Sequence, residues 1–310
     1  MTQPAVQQPT VDSASGGTAP VTKTSGRTAI KKGGLPAKLG LLLLCLLWTV
    51  PTLGLFVTSL RTRDAADSSG WWTVFPNLFG ETWTIDNYRD VITGSSTDMG
   101  TAFINSLVVA IPATVIPIMF AAFAAYAFTF MRFKFRDSLF VLVVGLLVVP
   151  IQAAFVPMLR LLGQDGLNIN GQFLAVWLLH TGFGMPLAIY TLRNYMATLP
   201  KSVIESAKVD GASHFTTFWR LIVPMSTPAL ASFAIFQFLW VWNDLLIALL
   251  FLGFDNPVAT VNLSQLLGRL GEGWQLLTAG AFVTMTVPLI VFFSLQRYFV
   301  RGLTSGSVKG

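Results

Sequence analysis

The sequence predicts an all-α polytopic membrane protein with six transmembrane helices, on three observations. The 310-residue chain is 53% hydrophobic and only 11% charged, whereas soluble domains carry about 25% charged residues. Six apolar stretches, near 38–60, 101–129, 137–161, 171–192, 228–252 and 277–300, reach the roughly 20 residues that a helix needs to cross a 30 Å hydrocarbon core. Lys and Arg are partitioned between alternate connecting segments, as multi-pass proteins arrange them.

Residues 1–37 are read as a disordered tail of Gln, Thr, Ser, Gly and Pro, too poor in apolar groups to offset the entropy of ordering. The apolar run that follows lasts about 22 residues behind a long polar segment and has no small-residue cleavage pattern, so it reads as a retained span rather than a leader. Cys45 stands alone inside it, which leaves no disulfide framework and no redox motif.

Fifteen of the 20 Lys and Arg fall in the N-terminal tail, the loops after spans two and four, and the C-terminus. Arg61, Arg63, Arg89, Arg160 and Arg269 make up the other side, together with nine acidic residues. Both termini are therefore expected in the cytoplasm. The net charge of +6 follows from this partition and gives no reason to invoke nucleic acid.

Prolines interrupt span two (Pro112, Pro117), span three (Pro150, Pro157), span four (Pro186) and span six (Pro288). Each removes a helical hydrogen bond, which is tolerated where a neighbouring helix or water satisfies the freed carbonyl. Ordinary packing accounts for such prolines, and so does a bundle that opens and closes around a passage. The run Ala121-Ala-Phe-Ala-Ala125 in span two permits close helix approach.

Span five contains Trp240-Val-Trp-Asn-Asp244, whose Asp244 is the only acidic residue in the interior of the six spans. An acid at depth costs several kcal/mol and faces the bundle or a water-filled cavity. With span five starting near 228, Asp244 falls about 24 Å along it, either as a structural cap or, with Trp240 and Asn243, as a pathway residue. His180 in span four reads as a packed, hydrogen-bonded histidine.

One intramembrane acid is too few for an ion-coupled carrier, and no G-x-x-x-x-G-K-[ST] phosphate loop is present, so energy for transport must come from another polypeptide. Two distant histidines and one cysteine make no metal site.

The segment 193–227 is long for a connection between membrane helices. Pro200 fits the start of a helix, and Ser202 with Glu205 has capping-box spacing. Asp210-Gly211 reads as a stop, with Gly supplying the left-handed conformation. Ser213 caps a second helix that runs through Phe215, Phe218 and Trp219, and Pro224 ends it. Ala207 and Ala212 leave room for a partner beside Glu205, Lys208 and Asp210. The segment reads as a docking knob or as a solvated amphipathic loop.

Glu205-Ser-Ala-Lys-Val-Asp-Gly-Ala212, followed by Ile222-Val-Pro224, resembles the "EAA" coupling loop of binding-protein-dependent ABC importer permeases. Asn105-Ser106, Tyr195, Leu199-Pro200, Trp242-Asn-Asp244 and the ending Gln296-Arg-Tyr-Phe-Val-Arg-Gly-Leu-Thr-Ser-Gly-Ser-Val-Lys-Gly310 are similar to maltose-type carbohydrate permeases, so the likeness covers 38–310. Ser206 stands where the family often has Ala, and Val223 where Leu is usual.

The resemblance implies a type I ABC importer permease fold over 38–310, with a coupling loop at about 193–227 and a C-terminal cytoplasmic tail at about 301–310, in a bacterial or archaeal cytoplasmic membrane. It implies a second homologous permease, two ATPase subunits that bind the ATP and Mg, and an extracytoplasmic sugar-binding protein. This chain itself would hold no cofactor and no catalytic site. Glu205, Ala207, Asp210, Gly211, Ala212, Ile222 and Pro224 would couple to the ATPase, and Ser305, Gly306, Ser307, Val308, Lys309 and Gly310 would reach between its subunits. The sugar expected is a di- or oligosaccharide such as maltose, trehalose or another α-glucoside; an importer for a non-sugar solute is the alternative, and a stand-alone carrier a further one. Trp71, Trp72, Trp83 and Trp274 suit interfacial anchoring or contact with a binding protein.

Overall fold

The structure is a computed structural model that describes residues 34–80, 82–94, 98–266 and 273–305. The first 33 residues of the expected tail, Arg269, and Gly306–Gly310 of the expected ATPase-contacting tail lie outside these. The chain divides into two compact units, 1–49 and 50–310. Among the described residues no strand occurs, and every long element is helical.

Helix α1 (Leu35–Ser59) takes in Leu35–Ala37, which were expected in the tail. It starts there because the Gly34 carbonyl already accepts from Ala37 and Lys38. In the first unit its leucines face outward on all sides, as on a helix solvated by lipid.

A compact polar layer follows, made of α2 (Arg63–Ser68), a 3-10 turn (Trp71–Asn77) and α3 (Asp86–Thr93). Arg61, expected as a loop charge, is 1% exposed. Its guanidinium donates to the Ser69 carbonyl (2.8 Å) and hydroxyl (2.6 Å), and Asn87 donates to the Arg61 carbonyl (2.8 Å). Of the four flagged tryptophans, Trp71 packs on Gly54, where a Cβ would come within 2.7 Å of its ring, while Trp72, Trp83 and Trp274 are exposed.

The core is built by α4 (Met99–Phe130), α7 (Phe173–Met196), α10 (Val223–Trp242) and α13 (Trp274–Ser305). Ala121, Ala122 and Ala125 are buried in one cluster with Ala188 and Leu192 of α7, the close approach expected of the alanine run. Val109, Ala110 and Ala113 join Ala175, Val176 and Leu179 of α7 with Val241 and Trp242 of α10 in another.

Prolines act in two ways. Pro112 and Pro117 lie inside an unbroken α4. The carbonyls they free, four residues back, are Val108 and Ala113. Val108 accepts from the Trp177 indole (2.9 Å), and Ala113 from the Gln237 amide (3.1 Å). Pro288 in α13 frees Thr284, which accepts from the Trp242 indole (3.1 Å). Three proline defects thus become inter-helix bonds, α4 to α7, α4 to α10 and α13 to α10.

Pro150 does the opposite. Val149 and Pro150 are both extended (ψ 121° and 123°), since a residue before proline avoids the α region. The expected third span therefore breaks into α5 (Arg136–Gly145) with a 3-10 turn, then a second 3-10 turn with α6 (Phe155–Leu162), bent by 96°. Among the described residues, five helices are long and apolar enough to cross a membrane, and six if this bent pair counts as one.

Trp242→Phe would leave the Thr284 carbonyl without its donor, at a cost of about 1 kcal/mol. Pro288→Ala restores a backbone N–H to the same carbonyl, so the double variant is expected to regain most of the loss. Thermal unfolding in detergent reads both, and additive losses would refute this account of the bond.

Candidate functional site

The polar segment after α7 folds as a knob. Leu199 closes α7 against the core, and α8 (Lys201–Val209) begins at Pro200. No capping box forms. Pro200 is the N-cap, so Ser202 lies inside the helix, and no side chain closes the helix start. Glu205 is exposed, and the reading of it as a cap is withdrawn. Ile204 and Ala207 turn inward at 5% and 7% exposure. Ala207 therefore faces its own chain, not a space for a partner, and Ala212 is half-buried.

Gly211 stops α8 at φ +76°. Its N–H bonds to the Lys208 carbonyl (3.1 Å) and that of Ala212 to Ala207 (2.9 Å), the paired bonds of a Schellman end. Ser213 then accepts from the Thr216 N–H (3.2 Å) and starts α9 (His214–Thr217). Around this turn Glu205, Lys208, Val209, Asp210, Gly211 and Phe215 face outward, Val209 at 87% and Phe215 at 69% exposure.

The sequence reading missed how the knob is held. The Tyr126 hydroxyl on α4 pairs with His214 Nδ1 at 2.9 Å, and Phe123 stacks on Phe218 at 4.6 Å. The available signal was a histidine directly after a capping serine, with aromatics about one and two turns from the end of a membrane helix.

Pro224 does not end the second helix. A π turn (Phe218–Ile222) follows α9, with the Val223 N–H reaching back to the Phe218 carbonyl, and α10 continues to Trp242. The extra residue in that turn moves the proline ring off the backbone ahead of it. The apolar helix therefore runs His214–Trp242, starting well before the expected residue 228. Ile222 is buried in the core and Pro224 is exposed.

At its far end the helix breaks at Asn243-Asp244, ahead of α11 (Leu246–Phe251) and α12 (Ala259–Gln265). Asn243 turns back to the Leu239 carbonyl (2.7 Å). The Asp244 carboxylate accepts from the Ala248 N–H (3.1 Å) and closes the start of α11, while Thr260 donates to its carbonyl (2.7 Å). The same carboxylate stands 3.9 Å from His180 Nε2. His180 is fully buried, bonded through Nδ1 to the Val176 carbonyl (3.0 Å), with Trp240 edge-on to its ring at 5.0 Å. The structure thus brings Asp244, Trp240 and His180 together at the helix break and leaves Asn243 on the outside. Ser305 ends α13, far in sequence from either group.

Apolar helices of membrane-crossing length, with a capped polar knob continuous with one of them, define a multi-pass membrane protein. The chain belongs to the family described as "Binding-protein-dependent transport system inner membrane component", whose model matches residues 101–305. It is 58% identical to the osmoprotective compounds uptake permease protein GgtD of Synechocystis sp., over 89% of this chain and 92% of that one. It is 43% identical to the alpha-glucoside transport system permease protein AglG of Rhizobium meliloti, over 88% and 96%, and 32% identical to the trehalose transport system permease protein SugB of Mycobacterium tuberculosis, over 84% and 92%. The fold is that of a chain in the crystal structure of a bacterial ABC transporter involved in the import of the acidic polysaccharide alginate, with a TM-score of 0.63 at 16% identity, over 86% of this chain and 95% of that one.

Proposed function

We propose that this chain is a permease subunit of an ATP-driven, binding-protein-dependent importer for a small α-glucoside, with trehalose-type disaccharides among its substrates. The observation that carries the coupling role is the knob itself. Its outward residues Glu205, Asp210 and Gly211 sit on a turn whose backbone is fixed at both ends, and that turn runs without interruption into a membrane helix. Such a turn suits a cleft on a separate ATPase, whose closure would move the helix. Ala207, Ala212 and Ile222 support the knob from within, and Pro224 marks its junction with the span. The nucleotide site belongs to the ATPase subunits, and Ser305–Gly310 would extend toward them.

The Lys and Arg partition supports a cytoplasmic position for both termini and the knob. A second, homologous permease would complete the passage, and Asp244, Trp240 and Asn243 would lie toward its outer mouth. Similarity to the AglG and SugB permeases supports the α-glucoside. GgtD's name favours a second reading, an osmoprotective compound.

Affinity purification of the tagged full-length chain from its native membrane tests the assembly. An ATPase, a second permease and a binding protein are expected to accompany it, and uptake of labelled trehalose is expected to exceed that of glycine betaine at least tenfold. Recovery of the chain alone under gentle conditions, with uptake that continues without ATP, would overturn the proposal.

A further inference from the structure

The ends of α4 and α7 meet the start of α8 around a cavity of about 440 Å³ that shares only Glu205 with the residues proposed for coupling. Its charged lining is Arg132, Arg136, Arg193, Lys201 and Lys208, against the single carboxylate of Glu205. Five cations facing one anion repel one another, and such a cluster holds together best around a bound counter-charge.

These cations are also underused. Arg136 engages Asp137 through Nε (3.0 Å), an exposed neighbouring pair. Among the described residues, Arg132, Arg193, Lys201 and Lys208 have no carboxylate partner. Arg193 lies over the Phe140 ring at 4.7 Å and reaches only the Asn194 side chain, at 3.4 Å. Its Nε is buried without a hydrogen-bond partner, and a buried donor left unpaired is costly.

The position narrows the ligand. Phe128 and Phe130 line the wall where the 32-residue apolar α4 ends, and Arg132 follows directly. Arg193 stands in the last turn of α7. The cavity therefore sits where two membrane spans finish, at headgroup depth, with an apolar wall and a cationic floor. Basic pockets between helices at that depth take anionic headgroups, and guanidinium forks match phosphate oxygens.

We infer that this cavity is a binding site for a phosphate-bearing anion, either the phosphodiester of an anionic phospholipid or a soluble phosphate ester, seated against the start of α8. The inference rests on the membrane placement of α4 and α7 and not on ATPase docking. A bound phosphate would draw Lys201 and Lys208 toward it, and would fix the root of the knob.

Native mass spectrometry of the full-length chain, purified in detergent with whatever subunits accompany it, tests the site whether or not an ATPase is among them. Phosphatidylglycerol is expected to bind, with phosphatidylcholine at least tenfold weaker. Arg132 and Lys201 are exposed, so R132Q/K201Q leaves the core intact. It is expected to weaken phosphatidylglycerol binding about thirtyfold, from the attraction of two cations, while Lys134→Gln outside the cavity does not. If glycerol 3-phosphate or inorganic phosphate binds with the same loss in R132Q/K201Q, the site stands and its ligand is soluble. Equal binding of both lipids, or phosphatidylglycerol binding unchanged in R132Q/K201Q, with no loss of soluble phosphate binding in that variant either, would overturn the site.

Discussion

Gly211→Val is expected to lower substrate uptake about tenfold while the chain still folds and inserts. Gly211 has φ +76°, and a Cβ there would meet nothing within 4 Å. The penalty is therefore wholly in the backbone, roughly 1–2 kcal/mol for an L-residue in the left-handed region and greater for a β-branched one. At 1.4 kcal/mol per factor of ten, the turn that presents Glu205 and Asp210 is depopulated by about that factor. The bonds from Gly211 to Lys208 and from Ala212 to Ala207 loosen with it. Gly211→Asn, which tolerates the left-handed conformation, should keep most uptake, with Gly211→Ala between the two. Transport and substrate-stimulated ATP hydrolysis measured in proteoliposomes give the ranking. Equal coupling in the Val and Asn variants would remove the shape of this turn from the mechanism.

Gly184→Val should strongly destabilise the core. A Cβ at 184 would lie 2.7 Å from both carboxamide atoms of Gln237. That side chain is 3% exposed, and its amide nitrogen donates to the Ala113 carbonyl that Pro117 leaves open. To make room, Gln237 must leave, which orphans Ala113 where α4, α7 and α10 cross. Overpacking costs about 1–3 kcal/mol and the lost bond about 1 kcal/mol more, so about 2–4 kcal/mol in total is expected, read as thermal unfolding in detergent. With Gln237→Ala already in place, the same valine should cost far less. A penalty that does not change in that background would show the clash to lie elsewhere.

What was legible in the sequence was local. Gly211 and Ser213 announce their turn because their backbone and hydroxyl chemistry acts within a few residues. The apolar spans show because hydropathy needs no partner. Proline was ambiguous because its outcome is decided at a distance. Pro112 and Pro117 lie inside an unbroken helix, their freed carbonyls taken by Trp177 and Gln237, 65 or more positions away in the chain, whereas the span expected at 137–161 breaks at Pro150.

The capping box of Ser202 and Glu205 failed for a related reason. Pro200 set the helix start two residues earlier than the motif needs. Asp244 was rightly singled out as an unusual acid, yet it lies past the end of its helix, held by α11 and by Thr260. The π turn had no sequence signature beyond a proline that ought to have stopped a helix and did not.

That turn has a mechanical consequence. The 29 residues from His214 to Trp242 form one strut, roughly 43 Å long at 1.5 Å per residue. Its foot is the knob and its head is the joint at Asn243-Asp244. A stiff strut carries thrust without dissipating it, so travel at the foot must reappear at the head. There the chain bends into α11. The π turn near the foot is a wound-in slack of one residue, and letting it pass along the helix would rotate the head by about 100°. Thrust and twist are then two separate inputs to the same joint, and a crank of this kind would act on Asp244 and His180 together.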